Sequence, residues 1–385
     1  MKELQDIIAV WKQLQNDSKT AALATLVKVE GSAYRRPGAR MLITSDGLQV
    51  GTISGGCLES DVKERSQEVL ETGIARLVKY DTTSEEDLIW GLGLGCQGVA
   101  YILIERLNIN EITALNTIDK CLSTKQTGAV ATILKTEGST IDIGDRILLN
   151  PDGGITSTIT NPELEKIVLC DLQLVLQQQQ STTQVYNFSQ LTTEVFLEVI
   201  QPPISLVIFG AGFDALPVVN LAKALGWYVT VVDPQARIQT QERFQQCDRI
   251  ILGSADEAGS QIEFDARTVA VAMSHNYLYD LEFLQTLNNI PLKYLGILGP
   301  KKRTNRLLQD LKYEGYSLPK LLYSPVGLDI GADNPEAIAL SIIAEIQAVT
   351  QHREGGFLKD RFLPIHAEKT SDLVLDSEYE VGTDK

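Results

Sequence analysis

ISLVIFGAGFDALPVVNLAKALGWYVTVVD, residues 204–233, is the stretch that decides the fold of the second half of the chain. A predicted strand leads into the turn Gly210-Ala211-Gly212, an apolar helix follows, and a second strand ends at Asp233. Further short apolar strands are predicted at residues 249–252, 268–273 and 292–298. Strands that alternate with helices indicate a parallel sheet with crossover helices, so we predict a Rossmann-like α/β domain.

The glycine turn of this stretch has the pattern G-x-G-x-x-A, with Asp214 inside it and an acid, Asp233, at the end of the next strand. Gly210 and Gly212 would let backbone N–H groups approach a diphosphate at the helix N-terminus. Asp233 could bind a ribose 2′-hydroxyl, and it would repel a 2′-phosphate. The pattern predicts a dinucleotide-like ligand. The alternative is a Rossmann-like fold whose glycines serve only packing.

The first half of the chain contains an internal repeat. ATLVKVEGS at residues 24–32 recurs as ATILKTEGS at residues 131–139, and the match continues after a one-residue deletion. In this alignment the second copy repeats four residues of the first: Gly38, Arg40, Asp46 and Gly47 correspond to Gly144, Arg146, Asp152 and Gly153. We predict that residues 20–57 and 127–160 are two copies of one β-unit, although chance similarity between two strand-turn-strand units stays open. What both copies keep is predicted to be scaffold.

Two segments occur only in the first copy, and they are therefore the better candidates for chemistry. One is Tyr34-Arg35-Arg36-Pro37, and the other is Ser54-Gly55-Gly56-Cys57 at the start of a predicted helix. Free N–H groups in the second segment would form an anion site, and the helix end is expected to favour a reactive Cys57 thiolate. The alternative is a buried cysteine that packs a tight turn.

Other residues could contact an anionic ligand. Cys96 lies in a second glycine loop, GLGLGCQG, and His275 follows a strand at the expected ligand-binding edge. The alternatives are that Cys96 only fills its loop and that His275 is a loop histidine with satisfied hydrogen bonds. Cationic residues cluster at Arg35, Arg36 and Arg40, and again at Lys301, Lys302, Arg303 and Arg306. Beside glycine turns these clusters favour phosphate binding, with solvated surface as the alternative. Cys121, Cys170 and Cys247 are predicted to be structural.

Composition excludes several classes of protein. The net charge is −16 and the pI is about 4.7, which argues against nucleic-acid binding. The apolar runs are too short for a membrane span, and the N-terminus resembles an amphipathic helix rather than a signal peptide, so we expect a cytoplasmic protein. Five cysteines without C-x-x-C spacing predict neither a disulfide framework nor a structural metal.

Three regions follow from these patterns. They are an N-terminal mixed α+β domain at residues 1–200, a Rossmann-like domain at 204–352, and a tail at 353–385. Pro202-Pro203 between the first two is a candidate hinge. Residues 161–200 show less regular patterning before the strand-like EVFLEVI.

These segments together resemble the XdhC/CoxI family of molybdenum-cofactor accessory proteins. The N-terminal match consists of EGSAYRRPGARMLITSDG, GTISGGCLE and GLGLGCQG. The C-terminal match consists of FGAGFDALP, VVDP, SHNYLYDLEFL, YLGILGPKKR and SPVGLDIGADNPEAIALSIIAEI. The resemblance implies a two-domain protein that binds molybdenum cofactor, as molybdopterin or in its dinucleotide form. It also implies that the protein assists sulfuration by a cysteine desulfurase and delivers the cofactor to an apo molybdenum hydroxylase of the xanthine dehydrogenase type.

The resemblance also implies site residues. Cys57 would hold the metal-dithiolene end of the cofactor, with Arg35, Arg36, Ser54, Gly55, Gly56 and Cys96 around it. Gly210, Gly212, Asp214, Asp233, His275, Lys302 and Arg303 would contact its phosphates and nucleotide, so one ligand is expected to touch both domains. We expect a homodimer without turnover of its own. The alternatives are an NAD-dependent oxidoreductase with His275 as acid/base, and a regulatory nucleotide-binding module.

Overall fold

The computed structural model describes residues 1–17, 19–81, 98–108, 111, 113–137, 141–188, 191–362 and 365. The chain divides into a large unit, residues 1–355, and a short one, residues 356–385, which contains the 3-10 helix Leu358–Asp360. None of the described helices is both long and apolar enough to cross a membrane.

The large unit begins with helix α1, Lys2–Asn16, followed by an antiparallel sheet. Its strands and helix are β1 Ala21–Gly31, β2 Arg40–Thr44, β3 Gln49–Gly51, α2 Glu59–Thr72, β4 Arg76–Asp81 and β5 Gly98–Leu107. The order across the sheet is β3-β2-β1-β5-β4. We call residues 2–107 the first repeat.

Residues 114–200, the second repeat, form the same series of elements again. These are α3 Ala114–Thr124, β6 Gly128–Glu137, β7 Arg146–Leu149, β8 Ile155–Ser157, α4 Pro162–Gln178, β9 Thr182–Phe188 and β10 Leu191–Ile200. Their sheet order, β8-β7-β6-β10-β9, matches that of the first repeat strand for strand. The internal repeat is confirmed, and it extends well beyond the two predicted β-units.

The less regular region at residues 161–200 is in fact a helix and two strands. Its helix α4 buries Leu164, Val168, Leu172 and Val175, and Asn161 caps it by accepting hydrogen bonds from two backbone N–H groups. The run of glutamines masks the end of α4, where Gln179 adopts a left-handed conformation with φ of 57°.

Two buried ion pairs join the repeats reciprocally. Arg40 of β2 pairs with Glu198 of β10, and Arg146 of β7 pairs with Glu105 of β5. A Cβ added at Gly38 or at Gly144 would lie 2.8 Å from the partner carboxylate, and both glycines have a positive φ near 95°. The residues that both repeats keep therefore do serve as scaffold.

A small apolar cluster lies between the same strands and has the same symmetry. Val27 and Leu103 come from the first repeat, and Leu134 and Phe196 come from corresponding positions in the second. A larger cluster also draws on both repeats, including Trp11 and Leu23 from the first. The two sheets consequently share one interior.

The Rossmann-like domain follows as predicted. Its strands are β11 Ser205–Phe209, β12 Tyr228–Asp233, β13 Arg249–Leu252, β14 Thr268–Ala272 and β15 Tyr294–Ile297. Its helices are α5 Ala215–Ala224, α6 Gln239–Arg243, α7 Ala255–Gln261, α8 Tyr277–Thr286, α9 Lys301–Tyr313 and α10 Pro335–Thr350. The parallel order β13-β12-β11-β14-β15 reverses direction between β11 and β14, which is where such sheets bind ligands.

Helices cover both faces of this sheet. Alternate strand residues such as Leu206 and Ile208 pack against α5 and α10, whereas Val207 and Phe209 pack against α7, α8 and α9. Burial on both faces explains why the strands are uniformly apolar in sequence.

We predict that Glu198→Gln lowers the free energy of unfolding by about 3 kcal/mol, because it leaves the Arg40 guanidinium buried without a counter-charge. Glu105→Gln should act alike on Arg146. Urea denaturation followed by circular dichroism measures the change. Asp6→Asn, in the exposed Lys2–Asp6 pair, is the control and should cost at most about 0.5 kcal/mol. Equal effects would show that the buried pairs do not hold the repeats together.

Candidate functional site

A small apolar cleft of about 50 Å³ lies in the first repeat, beside the two segments that only this repeat has. Leu26, Val99 and Ala100 line it from the sheet. Arg35 and Cys57 line it from the two segments, and Cys57 is exposed. The buried-cysteine alternative for this position is therefore wrong.

Tyr34 and the glycine loop pack on one another. A Cβ on Gly55, which has φ of +87°, would come within 2.8 Å of the Tyr34 ring, so only glycine allows this contact. The Tyr34 side chain is otherwise 65% exposed. The two segments that distinguish the first repeat thus form one surface.

The backbone N–H groups of the loop converge on a carboxylate of the same chain, that of Glu59 at the start of α2. Five of them donate to it, from Ile53, Ser54, Gly55, Gly56 and Leu58, at 2.9–3.2 Å. The Ser54 hydroxyl donates to it as well. The predicted anion site exists, but in this structure its occupant is Glu59.

The environment of Glu59 keeps this carboxylate ionised. Burial acts to raise its pKa, but the hydrogen bonds from the Ser54 hydroxyl and from the backbone of Ser54 and Ile53 outweigh burial and lower the pKa to about 2. The sequence pattern did not identify Glu59 as the anion of this loop. An acid five residues after Ser54, directly behind a glycine-rich turn, was the sequence feature that could have indicated this contact.

The arginines around Pro37 have different environments. Arg35 donates to the Glu3 carboxylate and, at 2.9 Å, to the Thr52 hydroxyl, so α1 is bound to the wall of the cleft. Its guanidinium lowers the pKa of Glu3 through this hydrogen bond. Arg36 is exposed. Arg40 was wrongly grouped with them, because it is buried against Glu198.

The other cysteines divide between interior and surface. Burial raises the pKa of the Cys121 thiol and that of Cys247 to about 12. Cys170 is exposed on α4, contrary to the prediction of a structural role. Cys96 lies outside the described residues. Within the described part of the chain, no group of three or more His, Cys, Asp or Glu side chains could hold a metal ion.

A second group of predicted residues meets at the carboxyl edge of the parallel sheet. A Cβ on Gly210 would lie 2.5 Å from the Met273 carbonyl oxygen, so the loops after β11 and β14 touch there. His275, with φ of 57°, places its Nε2 at 2.7 Å from Asp214. Asp214 and His275 therefore form a polar pair at the point where the strand order reverses.

Asp233 does not face this crevice with a free carboxylate. Its side chain is fully buried, and its oxygens accept hydrogen bonds from Arg237, Thr240 and the backbone N–H of Gln235. Burial acts to raise its pKa, but these bonds outweigh burial and lower it. Asp233 organises the turn after β12, and binding a ribose would require it to exchange these partners.

Two arginines at the glycine turn were not among the predicted site residues. Arg237 and Arg243 both donate to the Ala211 carbonyl oxygen, at 3.2 and 3.0 Å. The Arg243 guanidinium lies 4.0 Å from the ring centroid of Phe213. Two arginines within ten residues of the strand-end acid were the signal in the sequence.

The cationic residues of α9 also differ from one another. Arg303 forms a 2.7 Å ion pair with Asp280, whose side chain is buried. Asp280 in turn holds the Ser274 hydroxyl, next to His275. Lys302 is exposed at the first turn of α9. Arg303 thus braces the loop after β14, and Lys302 faces solvent.

The structure separates these two groups of predicted residues. The contacts that join the repeats to the Rossmann-like domain include Gln5 to the Gly226 carbonyl at 2.9 Å, and Lys125 over the ring of Tyr228. Both contacts lie at the amino end of β12, whereas Gly210 and His275 lie at the carboxyl edge. This arrangement does not support the expectation of one ligand that touches both domains of one chain.

Comparisons with known proteins match both halves of the chain. Residues 206–346 match the XdhC Rossmann domain, and residues 14–81 and 121–187 each match the XdhC and CoxI family. The two N-terminal matches fall on the two repeats. Nothing in these matches supports the nicotinamide-dependent alternative.

Relatives and a solved structure agree with the family matches. A protein of Bacillus subtilis, named as a probable xanthine dehydrogenase component, is 36% identical over 86% of this chain and 94% of its own length. The molybdenum cofactor insertion chaperone PaoD of Escherichia coli is 23% identical over 87% of this chain and 85% of its own.

The crystal structure of a xanthine dehydrogenase from Bacillus halodurans superposes with a TM-score of 0.73. It is 30% identical and covers 90% of this chain and 96% of that one. Both repeats match the family model, and the similarity to the Bacillus subtilis protein extends over most of both chains. This chain therefore belongs to the XdhC and CoxI family.

Proposed function

We propose that this protein binds molybdenum cofactor in the cytoplasm, holds it while a cysteine desulfurase sulfurates it, and inserts it into an apo molybdenum hydroxylase of the xanthine dehydrogenase type. Family membership supports this function, as does the name of the Escherichia coli relative, a molybdenum cofactor insertion chaperone. The observation that carries it is the exposed Cys57 thiol beside an apolar cleft in the first repeat.

The residues of the cleft suit such a cargo. A flat pterin ring would be shielded from water by Leu26, Val99 and Ala100. The Cys57 thiol is a soft ligand that suits the metal-dithiolene end. Arg35 lies on the same wall, and it would bind an anionic group of the cargo by exchanging its Glu3 partner. The metal belongs to the cargo, and the chain contributes its shelter and orientation.

Glu59 positions this thiol. Because its carboxylate occupies the N–H groups of Ser54, Gly55 and Gly56, the loop is held in one conformation before any cargo arrives. The phosphate of the cargo would then contact Arg35 or Arg36 rather than these N–H groups. We keep Cys96 as a second contact, since Gly98, two residues later, lines the cleft.

The Rossmann-like edge would bind a nucleotide separately from the cleft. The N–H groups after Gly210 and Gly212 would face its phosphates, and the Asp214–His275 pair closes the crevice between the two loops. Lys302 would add a cation from the exposed end of α9, while Arg303 fixes the loop that carries His275.

Alkylation of cysteines tests the cleft. Molybdenum cofactor should slow the reaction of Cys57 with iodoacetamide at least about tenfold, because the thiol becomes covered. Cys170, exposed on α4, serves as the reference within the same molecule, and its rate with and without cofactor should be equal. Peptide mass spectrometry measures both rates.

Activation of an apo hydroxylase gives the matching functional measurement. Cys57→Ala should lose both cofactor binding and activation, whereas Glu64→Gln, exposed on α2, should keep both. Cofactor binding that is indifferent to Cys57→Ala would contradict the proposal. Reduction of NAD with a small substrate, unaffected by Cys57→Ala, would identify an oxidoreductase instead.

The role of Glu59 predicts a dependence of stability on pH. Its folded-state pKa of about 2 lies below the ordinary value of 4.5, so its contribution is present above pH 4.5 and is lost as the pH falls toward 2. The difference in unfolding free energy between wild type and Glu59→Gln should therefore shrink over that interval. Denaturation at several pH values measures it. Glu64→Gln should show no such interval, and a constant difference for Glu59→Gln would contradict the assignment.

Nucleotide binding tests the Rossmann-like edge. We expect His275→Ala to weaken binding of ADP or CDP about tenfold by titration calorimetry, because the pair with Asp214 is lost. Protection of Cys57 by cofactor should be unchanged, since the two sites are separate. Loss of both in His275→Ala would show that one ligand spans them.

A further inference from the structure

The second repeat carries an apolar stripe on its surface. Ile167, Cys170 and Leu174 follow one another along α4, and all three are exposed. The Tyr186 hydroxyl donates to Asp171 at 2.9 Å, which ties this side of α4 to strand β9. The stripe and β9 therefore adjoin, and they form one flank of the repeat.

The first repeat shows what this flank looks like when it only faces water. Helices α2 and α4 end at corresponding left-handed residues, Gly73 and Gln179, and the strands that follow carry corresponding tyrosines, Tyr80 and Tyr186. When the two repeats are aligned on these residues, six charged residues of the first repeat correspond to six uncharged residues of the second. The pairs are Asp61 and Ile167, Glu64 and Cys170, Glu68 and Leu174, Arg76 and Thr182, Lys79 and Val185, and Asp81 and Asn187. We call these sets the charged flank and the neutral flank.

The fold does not require the neutral side chains. At the charged flank Glu68 of α2 pairs with Arg76 of β4 at 2.6 Å, and Lys79 pairs with Asp81 at 3.0 Å, all on the surface. The same helix and strand pack on the same sheet in both repeats. Packing within the repeat therefore does not explain why the neutral flank is uncharged, and a contact with another molecule would.

Strand β9 adds an independent observation. It is the last strand of its sheet, as β4 is of the first, so its outer edge presents backbone groups for pairing. Charged side chains on β4 are the usual protection against edge-to-edge pairing. The seven residues of β9, TTQVYNF, carry no charge. This edge lacks the protection that its counterpart has.

We propose that the neutral flank is a homodimer interface. Strand β9 pairs antiparallel with β9 of a second copy across a twofold axis, and the two five-stranded sheets become continuous. The stripes of the two α4 helices then meet on one face of the joined sheet. This arrangement satisfies the strand edge and buries Ile167 and Leu174 together.

Charge identifies a second copy as the occupant. Two chains of net charge −16 repel one another, and they approach at least cost where both surfaces are uncharged. The charged residues of α4 beside the stripe are Glu163 and Lys166 near its N-terminal end, and Asp171, which accepts a hydrogen bond from the Tyr186 hydroxyl. A basic partner would instead be drawn to the acids of the charged flank. An edge strand that meets its own copy is also complementary to itself by symmetry.

Restoring the charges of the first repeat tests the interface. The full-length chain should be a dimer by analytical ultracentrifugation, and Leu174→Glu with Val185→Lys should weaken self-association at least about 100-fold. Hydrogen exchange of the β9 amides should become faster in this variant, and that of the β4 amides should not change. The first repeat shows that the fold accepts these residues, so the circular dichroism spectrum should be unchanged.

The reverse exchange, Glu68→Leu with Lys79→Val, is the matched control and should leave the wild-type dimer as strong as before. A wild-type chain that stays monomeric at about 100 μM would overturn the proposal. So would a dimer that persists in Leu174→Glu with Val185→Lys, since another face would then form it. If a monomer instead bound an apo hydroxylase through α4, the neutral flank would be an interface with that enzyme and not with a second copy.

Discussion

The reciprocal exchange of buried charges between the repeats is the interaction on which the architecture depends. Arg40 has its counter-charge in Glu198, and Arg146 has its own in Glu105, so neither repeat satisfies its interior alone. The glycines at positions 38 and 144 exist because no side chain fits beside those carboxylates. These two ion pairs join the two sheets. The same sheets support the cleft, the loop around Glu59 and the flank of α4.

On this framework the repeats have diverged in opposite directions. The first repeat gained a thiol loop and keeps a charged exterior. The second repeat has Ile141-Asp142-Ile143 where the first has Tyr34 and the arginines, and the flank formed by its α4 and β9 lacks six charged residues that the first repeat has. The proposed cargo cleft and the proposed dimer interface therefore lie on different copies of the same unit.

Sequence patterns predicted the elements of the fold well, because strand, turn and helix signals are local. The strands predicted at residues 249–252 and 268–273 are found as Arg249–Leu252 and Thr268–Ala272. Partners across the fold were not predictable in this way. The glycine loop indicated free N–H groups, but its sequence did not indicate that the Glu59 carboxylate accepts hydrogen bonds from them. The pairing of Asp233 with Arg237 and that of Arg40 with Glu198 also depend on the tertiary structure. Helix α4 was hard to recognise in residues 161–200 because Ile167, Cys170 and Leu174 interrupt its exposed polar face.

The crossing of charges between the repeats also orders events during synthesis. The chain emerges from the ribosome N-terminus first, and Arg40 and Glu105 are both made before the second repeat supplies Arg146 and Glu198. Glu105 would lack its partner until β7 supplies Arg146, and Arg40 would lack its partner until β10 supplies Glu198; burying either charge alone is costly. The first repeat consequently has both of its buried counter-charges only when half of the chain is complete.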